Sequence, residues 1–402
     1  MAASNPCFLS VADAAALIAA KRLSPVELVQ AYLARIERLN DALHAYVRVL
    51  PEEALAAARA AEAEIAAGHY RGPLHGIPIG LKDIYDTAGV ATEGGSKLCL
   101  GRVPAADATT ARLLKQAGAI LLGKLTTWEF AIGGTAFDTP FPPARNPWNR
   151  ERDPAGSSSG SGAAVAAGLC AMAMGSDTGG SIRWPAAWCG LAGLKPTYGR
   201  VSRAGIMPLS FSLDHAGPLT WTVEDSAIVL QAIAGHDPRD PASADRPVPD
   251  YRAAALASAD LKGLRLGIAR AMFERDLARD RLTIGAYVRA SDMVQAMRRR
   301  LMLVEATEAA MEGFDAILLP TCPDPAPALG ELAPYFDNRR PMYMRPFNLT
   351  GQPALSLCNG FDEAGLPLSL QIVGRHFGEA TVLRIGHAYE RVTPWRERRP
   401  PL

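Results

Sequence analysis

The chain has 402 residues, 49% hydrophobic and 21% charged, with 42 Lys and Arg against 41 Asp and Glu. That apolar content and near-zero net charge exclude bulk disorder, and the lack of a basic excess argues against direct nucleic-acid or membrane-surface binding. Residues 163–174, the longest nearly apolar stretch, are too few to span a bilayer, the N-terminus lacks the basic start of a signal peptide, and six scattered cysteines have no paired spacing, so a cytoplasmic location is expected.

The first seventy residues read as helices. Ser24-Pro25-Val26-Glu27 is a capping box with proline at the first helical position, and Leu28, Val29, Tyr32, Leu33, Ile36 and Leu39 follow at helical spacing. Residues 52–67 predict a second, Ala-rich helix that stops at Gly68. From there apolar runs at 77–81, 119–122, 169–174, 264–269 and 316–319 alternate with helical segments and predict buried strands. Runs at 354–358 and 368–373 flank Asp362-Glu363-Ala364-Gly365 and predict a hairpin. This alternation implies an α/β fold with a mixed, mostly parallel sheet sandwiched between helices. Segments 237–251 and 321–335, rich in Asp and Pro, read as loops that separate no regions of different composition, so one domain over 1–402 is expected. The cysteines and Met293, Met297 and Met302 read as core filling, and Arg298-Arg299-Arg300 as a solvated helix face.

Chemistry concentrates in two Gly/Ser turns, Gly156-Ser157-Ser158-Ser159-Gly160 and Gly175-Ser176-Asp177-Thr178-Gly179-Gly180-Ser181, separated by a small-residue helix and an apolar run. Such glycines let backbone N–H groups converge on an anion or oxyanion. A phosphate loop would need Lys-Ser/Thr after its glycines, and neither turn has it. A nucleophile elbow is matched with Ser158 at its centre, and would draw on His215, His236, His376 or His387. The third reading takes one serine from each turn and activates them with a lysine. Each residue also has a plain structural reading: Ser157 and Ser181 as helix caps, Lys82 as a surface lysine beside Asp83.

The stretch from Gly156 to Arg203, with GSDTGGSIR (175–183) and PAAWCGLAGLKPTYGRVSR (185–203), resembles the amidase signature family. So do SLDHAGPL (212–219), GIPIGLKD (76–83), Gly123-Lys124-Leu125, Asn146-Pro147-Trp148, PFNLTGQPALSL (346–357) and LPLSLQIVG (366–374), in the family's order. The resemblance implies a single α/β/α domain, with N-terminal helices over 1–70 and a signature core over 71–220. It implies Ser181 as nucleophile, Ser157 as a bridging serine after a cis peptide, and Lys82 as base. It implies an oxyanion hole from the N–H groups of Thr178, Gly179, Gly180 and Ser181, with Asp177 and Arg183 as a supporting ion pair.

No metal and no organic cofactor is expected, and the partner expected is a small-molecule amide, with a homodimer left open. Two departures stand out within the motifs: Ser159 where the family commonly has glycine, and Trp184 after Arg183. A third is length. Only residues 270–282 separate the 264–269 run from a tyrosine-bearing helix starting near Thr283, several tens fewer than in the family, in a region that often contributes to the substrate funnel. Three functions follow: an amidase working through a Ser181 acyl-enzyme, the glutaminase-like A subunit of a glutamyl-tRNA amidotransferase with partner subunits and an ammonia channel, or a non-catalytic member of the fold. Trp184 and the 212–215 stretch look more like stand-alone amidases. Trp128, Phe130, Tyr335, Phe336 and Tyr343 suggest an apolar or aryl acyl group, and core packing explains them equally.

Overall fold

The computed structural model describes residues 5–257, 260–269, 290–336 and 340–402, with backbone alone at 290–293. Among these, ten strands form one sheet: β1 (Tyr46–Val49), β2 (Pro78–Lys82), β3 (Ile120–Leu125), β4 (Met172–Ser176), β5 (Ala192–Lys195), β6 (Ala216–Thr220), β7 (Leu266–Ile268), β8 (Ala316–Pro320), β9 (Ala354–Phe361) and β10 (Pro367–Gly374). Their order across the sheet is β1-β3-β2-β4-β6-β5-β9-β10-β8-β7. The sheet is mixed: β2 runs parallel to both β3 and β4, and β7 to β8. The other neighbours are antiparallel, further than strand–helix alternation alone suggests, because β9 and β10 form a hairpin and β5 and β6 return between β4 and β9. The hairpin turn closes with Asp362 accepting from the Leu366 and Gly365 amides.

Helices cover both faces. The Arg183–Cys189 helix lies on the face of Gly193, where Ala186 approaches its backbone, and the Glu379–Arg391 helix lies on the opposite face, over Leu355 and Leu357. The Pro25–Leu43 helix is capped by Ser24 as its sequence predicts, the hydroxyl accepting from Val26 and Glu27. Three strands lacked a legible pattern. β1 has only four residues, while AGLK in β5 and AGPLT in β6 carry the glycine and proline that weaken strand propensity.

Cys7, Cys170, Cys189 and Cys358 are buried as expected, whereas Cys99 and Cys322 are half-buried. Met297 and Met302 are not core residues: they are 37% and 67% exposed on the Ala290–Ala310 helix, which packs on the Pro346–Thr350 helix. Met293, the 270–282 stretch and the helix start near Thr283 lie outside the described side chains. Arg298 and Arg299 are solvated, but Arg300 is half-buried and donates to the Leu349 carbonyl at 2.5 Å.

The small-residue helix Ser159–Ala166 is fully buried because its residues let it sit flush on β2, β3 and β4. A Cβ on Gly160 would lie 2.4 Å from both the Ala45 carbonyl oxygen and the Thr126 amide nitrogen, each fixed backbone. Gly160→Ala should therefore destabilise the protein by about 1–3 kcal/mol, outweighing the ~1 kcal/mol that alanine gains in an exposed helix. Urea unfolding checks this, and an unchanged midpoint would contradict flush packing.

Candidate active site

Three parallel strands bring their carboxyl ends to one edge of the sheet, where such sheets place ligands. Lys82 ends β2 there, paired with Leu125 of β3, and Ser176 ends β4 alongside. Lys82 has no exposed surface. Its Nζ donates to Ser157 Oγ at 2.7 Å and to Ser176 Oγ at 2.8 Å. Burial pushes its pKa down to about 7, against the pull of Asp214 and Asp177. The surface-lysine reading is thereby excluded. Ser176 lies inside the quoted motif but carried no role in the sequence; its neighbourhood to Lys82 follows from strand order, which spacing does not show.

Ser157 is buried, and the Gly156–Ser157 peptide is cis. The Ser157 carbonyl accepts from the Trp128 amide at 3.1 Å, which ties this turn to the segment after β3. Ser158, the elbow candidate, is spent on structure: its hydroxyl accepts from Ser176 N at 3.2 Å and donates to Ser176 O at 3.3 Å. His215 is no base for it. Its Nδ1 faces the carbonyls of Leu213 and Asp177 at 2.7 and 3.1 Å, so Nδ1 carries the proton, and the buried Nε2 has no partner among the described residues.

Ser181 closes the second turn and is half-buried. Among the described residues its hydroxyl bonds to no protein group, and no hydrogen bond joins it to Ser157. The N–H groups of Thr178, Gly179 and Ser181 are likewise uncommitted among the described residues. Gly180 differs from expectation: its N–H donates to Asp177 Oδ1 at 2.8 Å, which leaves three of the four expected N–H groups uncommitted. Gly180 has φ +132°, and a Cβ there would lie 2.9 Å from Met344. The positive φ favours glycine, while the contact falls on the flexible end of the Met344 side chain.

Asp177 and Arg183 form the expected ion pair, fully buried, with Nε–Oδ2 and Nη2–Oδ1 both at 3.0 Å. Burial alone would raise the Asp177 pKa, but the Arg183 guanidinium beside it holds it well below the usual carboxylate range. The remaining Arg183 donors reach Met344 O (2.9 Å), Gln371 Oε1 (3.1 Å) and Asn348 Oδ1 (2.7 Å), and Asn348 Nδ2 donates back to Asp177 Oδ1 at 2.8 Å. Asn348 and Gln371 belong to the two C-terminal motifs, whose contribution was not legible in the sequence.

Beside the turn, Trp128, Trp184, Trp188, Tyr335 and Phe336 form an aromatic cluster, with Trp184 and Trp188 ring centres 5.0 Å apart. Tyr343 packs elsewhere, against Leu319, Phe347 and Val373. Among the described residues no group of His, Cys, Asp and Glu could hold a metal, and no helix is long and apolar enough to cross a membrane.

A family model described as "Amidase" matches residues 27–283 and 275–383. The chain is 39% identical to the glutamyl-tRNA(Gln) amidotransferase A subunit of Geobacter metallireducens, covering 93% of this chain and 95% of that one. That alignment extends over 467 residues, more than this chain contains. Among solved structures, the peptide amidase of Stenotrophomonas maltophilia superposes with a TM-score of 0.84 at 30% identity, covering 98% of each chain. The glutamyl-tRNA(Gln) amidotransferase A subunit of Thermotoga maritima superposes with a TM-score of 0.83 at 29% identity, covering 98% of this chain and 97% of that one.

The buried Lys82 makes a stability prediction that needs no substrate. Because its pKa is lower folded than unfolded, the unfolded chain binds more protons between about pH 7 and pH 10.5, and stability rises with pH across that window. Lys82→Met removes that slope. It should stabilise the protein by roughly 2–4 kcal/mol at pH 6, less than the full shift because two serine hydroxyls lose a partner. The gain should shrink towards pH 10. Thermal melts across this range measure it, and a pH-independent difference would contradict a depressed lysine.

Proposed function

The chain belongs to the amidase family, and from that premise we propose that it cleaves a carboxylic amide through an acyl-enzyme on Ser181. The observation that carries this is the 2.7 Å contact between Ser157 and a fully buried Lys82 whose pKa is pushed down to about 7. A serine hydroxyl needs a base, and a lysine serves only when neutral. Burial without a carboxylate partner supplies that state near neutral pH.

In this mechanism Ser181 Oγ attacks the amide carbon while its proton passes to Ser157 Oγ and the Ser157 proton to the lone pair of Lys82 Nζ. The N–H groups of Thr178, Gly179 and Ser181 receive the negative charge that develops on oxygen. The C–N bond then breaks, and Ser157 hands its proton to the leaving nitrogen and is restored from Lys82. Water opens the ester by the same relay in reverse and frees the acid. Asp177 and Arg183 touch none of the reacting atoms in this scheme; they hold the turn in shape.

A second reading has a specific observation behind it: the relatives at 37–39% identity carry the name of the glutamyl-tRNA(Gln) amidotransferase A subunit. On that reading the amide is glutamine and the ammonia passes to a partner protein. The two separate by substrate preference. Ammonia release from glutamine far above that from unrelated primary amides supports the amidotransferase role, and comparable turnover of unrelated amides supports a stand-alone amidase.

For either reading, Ser181→Ala should abolish labelling by a fluorophosphonate probe and lower amide turnover by about 10⁴-fold or more, with an unchanged melting profile. Labelling retained in this variant would move the nucleophile elsewhere. The kcat/KM of the wild type should rise with pH through about 7 and level off above it, as Lys82 loses its proton. Lys82→Arg should stay inactive up to pH 10, because arginine remains protonated there. Near wild-type amide hydrolysis by this variant would overturn the lysine base.

A further inference from the structure

The Ala290–Ala310 helix is held to the body of the protein by one side. Arg300 donates to the Leu349 carbonyl, and Glu308 accepts from Gln352 Nε2 at 3.1 Å and faces His376 Nδ1 at 2.6 Å. Arg300, Val304 and Thr307, spaced by four and three residues, are half-buried and mark this inner side.

Beside that inner side run Val294, Met297 and Leu301, which are 52%, 37% and 65% exposed. Spacings of three and four residues put them on one stripe over two helical turns. Single exposed apolar side chains are ordinary, whereas a continuous stripe marks a surface that another body covers.

The charges beside the stripe say what that body is. Helical periodicity places Arg298 and Glu305 on the same flank, one to either side of Leu301 along the axis. Both are exposed, and among the described residues neither belongs to an ion pair. Two helices that pair antiparallel about a two-fold axis bring like flanks together. With the axis at Leu301, Arg298 of each copy then stands opposite Glu305 of the other. A parallel pairing brings unlike flanks together and leaves both charges without a complement.

We propose that this stripe is a self-association surface on which a second copy of the chain docks, helix antiparallel to helix. Leu301 meets its own counterpart at the centre, and two Arg298–Glu305 pairs close the rim. The pattern is its own complement, which selects a second copy over an unrelated protein. The contact is small. A helix of 21 residues is about 30 Å long and about 10 Å wide, so its stripe covers roughly 300 Å² a side, against ~800 Å² in a stable interface. The dimer is therefore weak and concentration-dependent, and it leaves the serine turns of each copy free.

Sedimentation equilibrium of the purified chain from about 1 to about 200 µM tests this, a range suited to a small interface. The wild type should move from monomer towards dimer mass as concentration rises. Leu301→Asp sets two carboxylates against each other at the centre and should stay monomeric throughout. Its melting profile at low concentration should be unchanged, because the position is exposed in a single copy. Arg298→Glu and Glu305→Arg should each weaken association by about tenfold, since either creates two like-charge contacts across the axis. The double variant should restore it. If Leu301→Asp lowers the melting point, the charge exchange decides alone.

A wild type that stays monomeric at the highest concentration overturns the proposal and leaves the stripe to a different protein. A dimer that survives Leu301→Asp unchanged overturns it too, by placing the contact elsewhere on the surface. Charge variants without effect, or a double variant that fails to recover, overturn the antiparallel pairing.

Discussion

A lysine can act as a base here only if no carboxylate reaches it, and much of the architecture around the two serine turns serves that exclusion. The acids nearest to Lys82 in the chain or in space are all committed elsewhere. Asp83, the next residue, turns away and faces Lys124 at 3.8 Å. Burial raises the Asp83 pKa to about 6 and lowers that of Lys124 to about 8, so even this pair carries its charges reluctantly. Asp177 is held by Arg183, and Asp214 by a hydroxyl and two amides. Lys82 is left with two serine hydroxyls, which can exchange protons with it and cannot neutralise it.

The same distribution explains which parts of the molecule were legible beforehand. The serine turns, the lysine and the Asp177–Arg183 pair lie within local motifs; Lys82 contacts Ser157 and Asp177 pairs with Arg183, whereas no hydrogen bond joins Ser181 to Ser157 among the described residues. The helix after the first turn and the C-terminal hairpin follow from small-residue content and from turn chemistry, both local. Strand order is not local. The contact of Ser176 with Lys82 depends on β4 lying beside β2, which no periodicity encodes. Gly180 illustrates a subtler limit: its membership of the turn was legible, but not the side chain that claims its N–H. Met297 and Met302 mark the opposite failure, since apolar residues at helical spacing imply a buried stripe only where another element covers them.

The two sides of the nucleophile turn are built differently. The aromatic cluster is closely packed, and the buried Trp184 indole N–H has no partner among the described residues. A cavity beside Ser176 and Thr178 is more open, lined by Ile206, Met207 and Leu209 together with Arg203, Asp214 and His215.

Arg183 draws its partners from far along the chain: Asn348 lies 165 residues downstream and Gln371 188 residues downstream. During synthesis the lysine, both serines and the aspartate emerge well before either. Until the Pro346–Thr350 helix and the final hairpin dock, the Arg183 guanidinium has only part of its hydrogen bonding, and the second serine turn lacks that clamp. Contacts of such sequence separation form late and slowly. On the proposed mechanism, completion of the polypeptide therefore matters to the site: a chain that ends before Asn348 and Gln371 carries Lys82, Ser157 and Ser181 but lacks these two partners of Arg183.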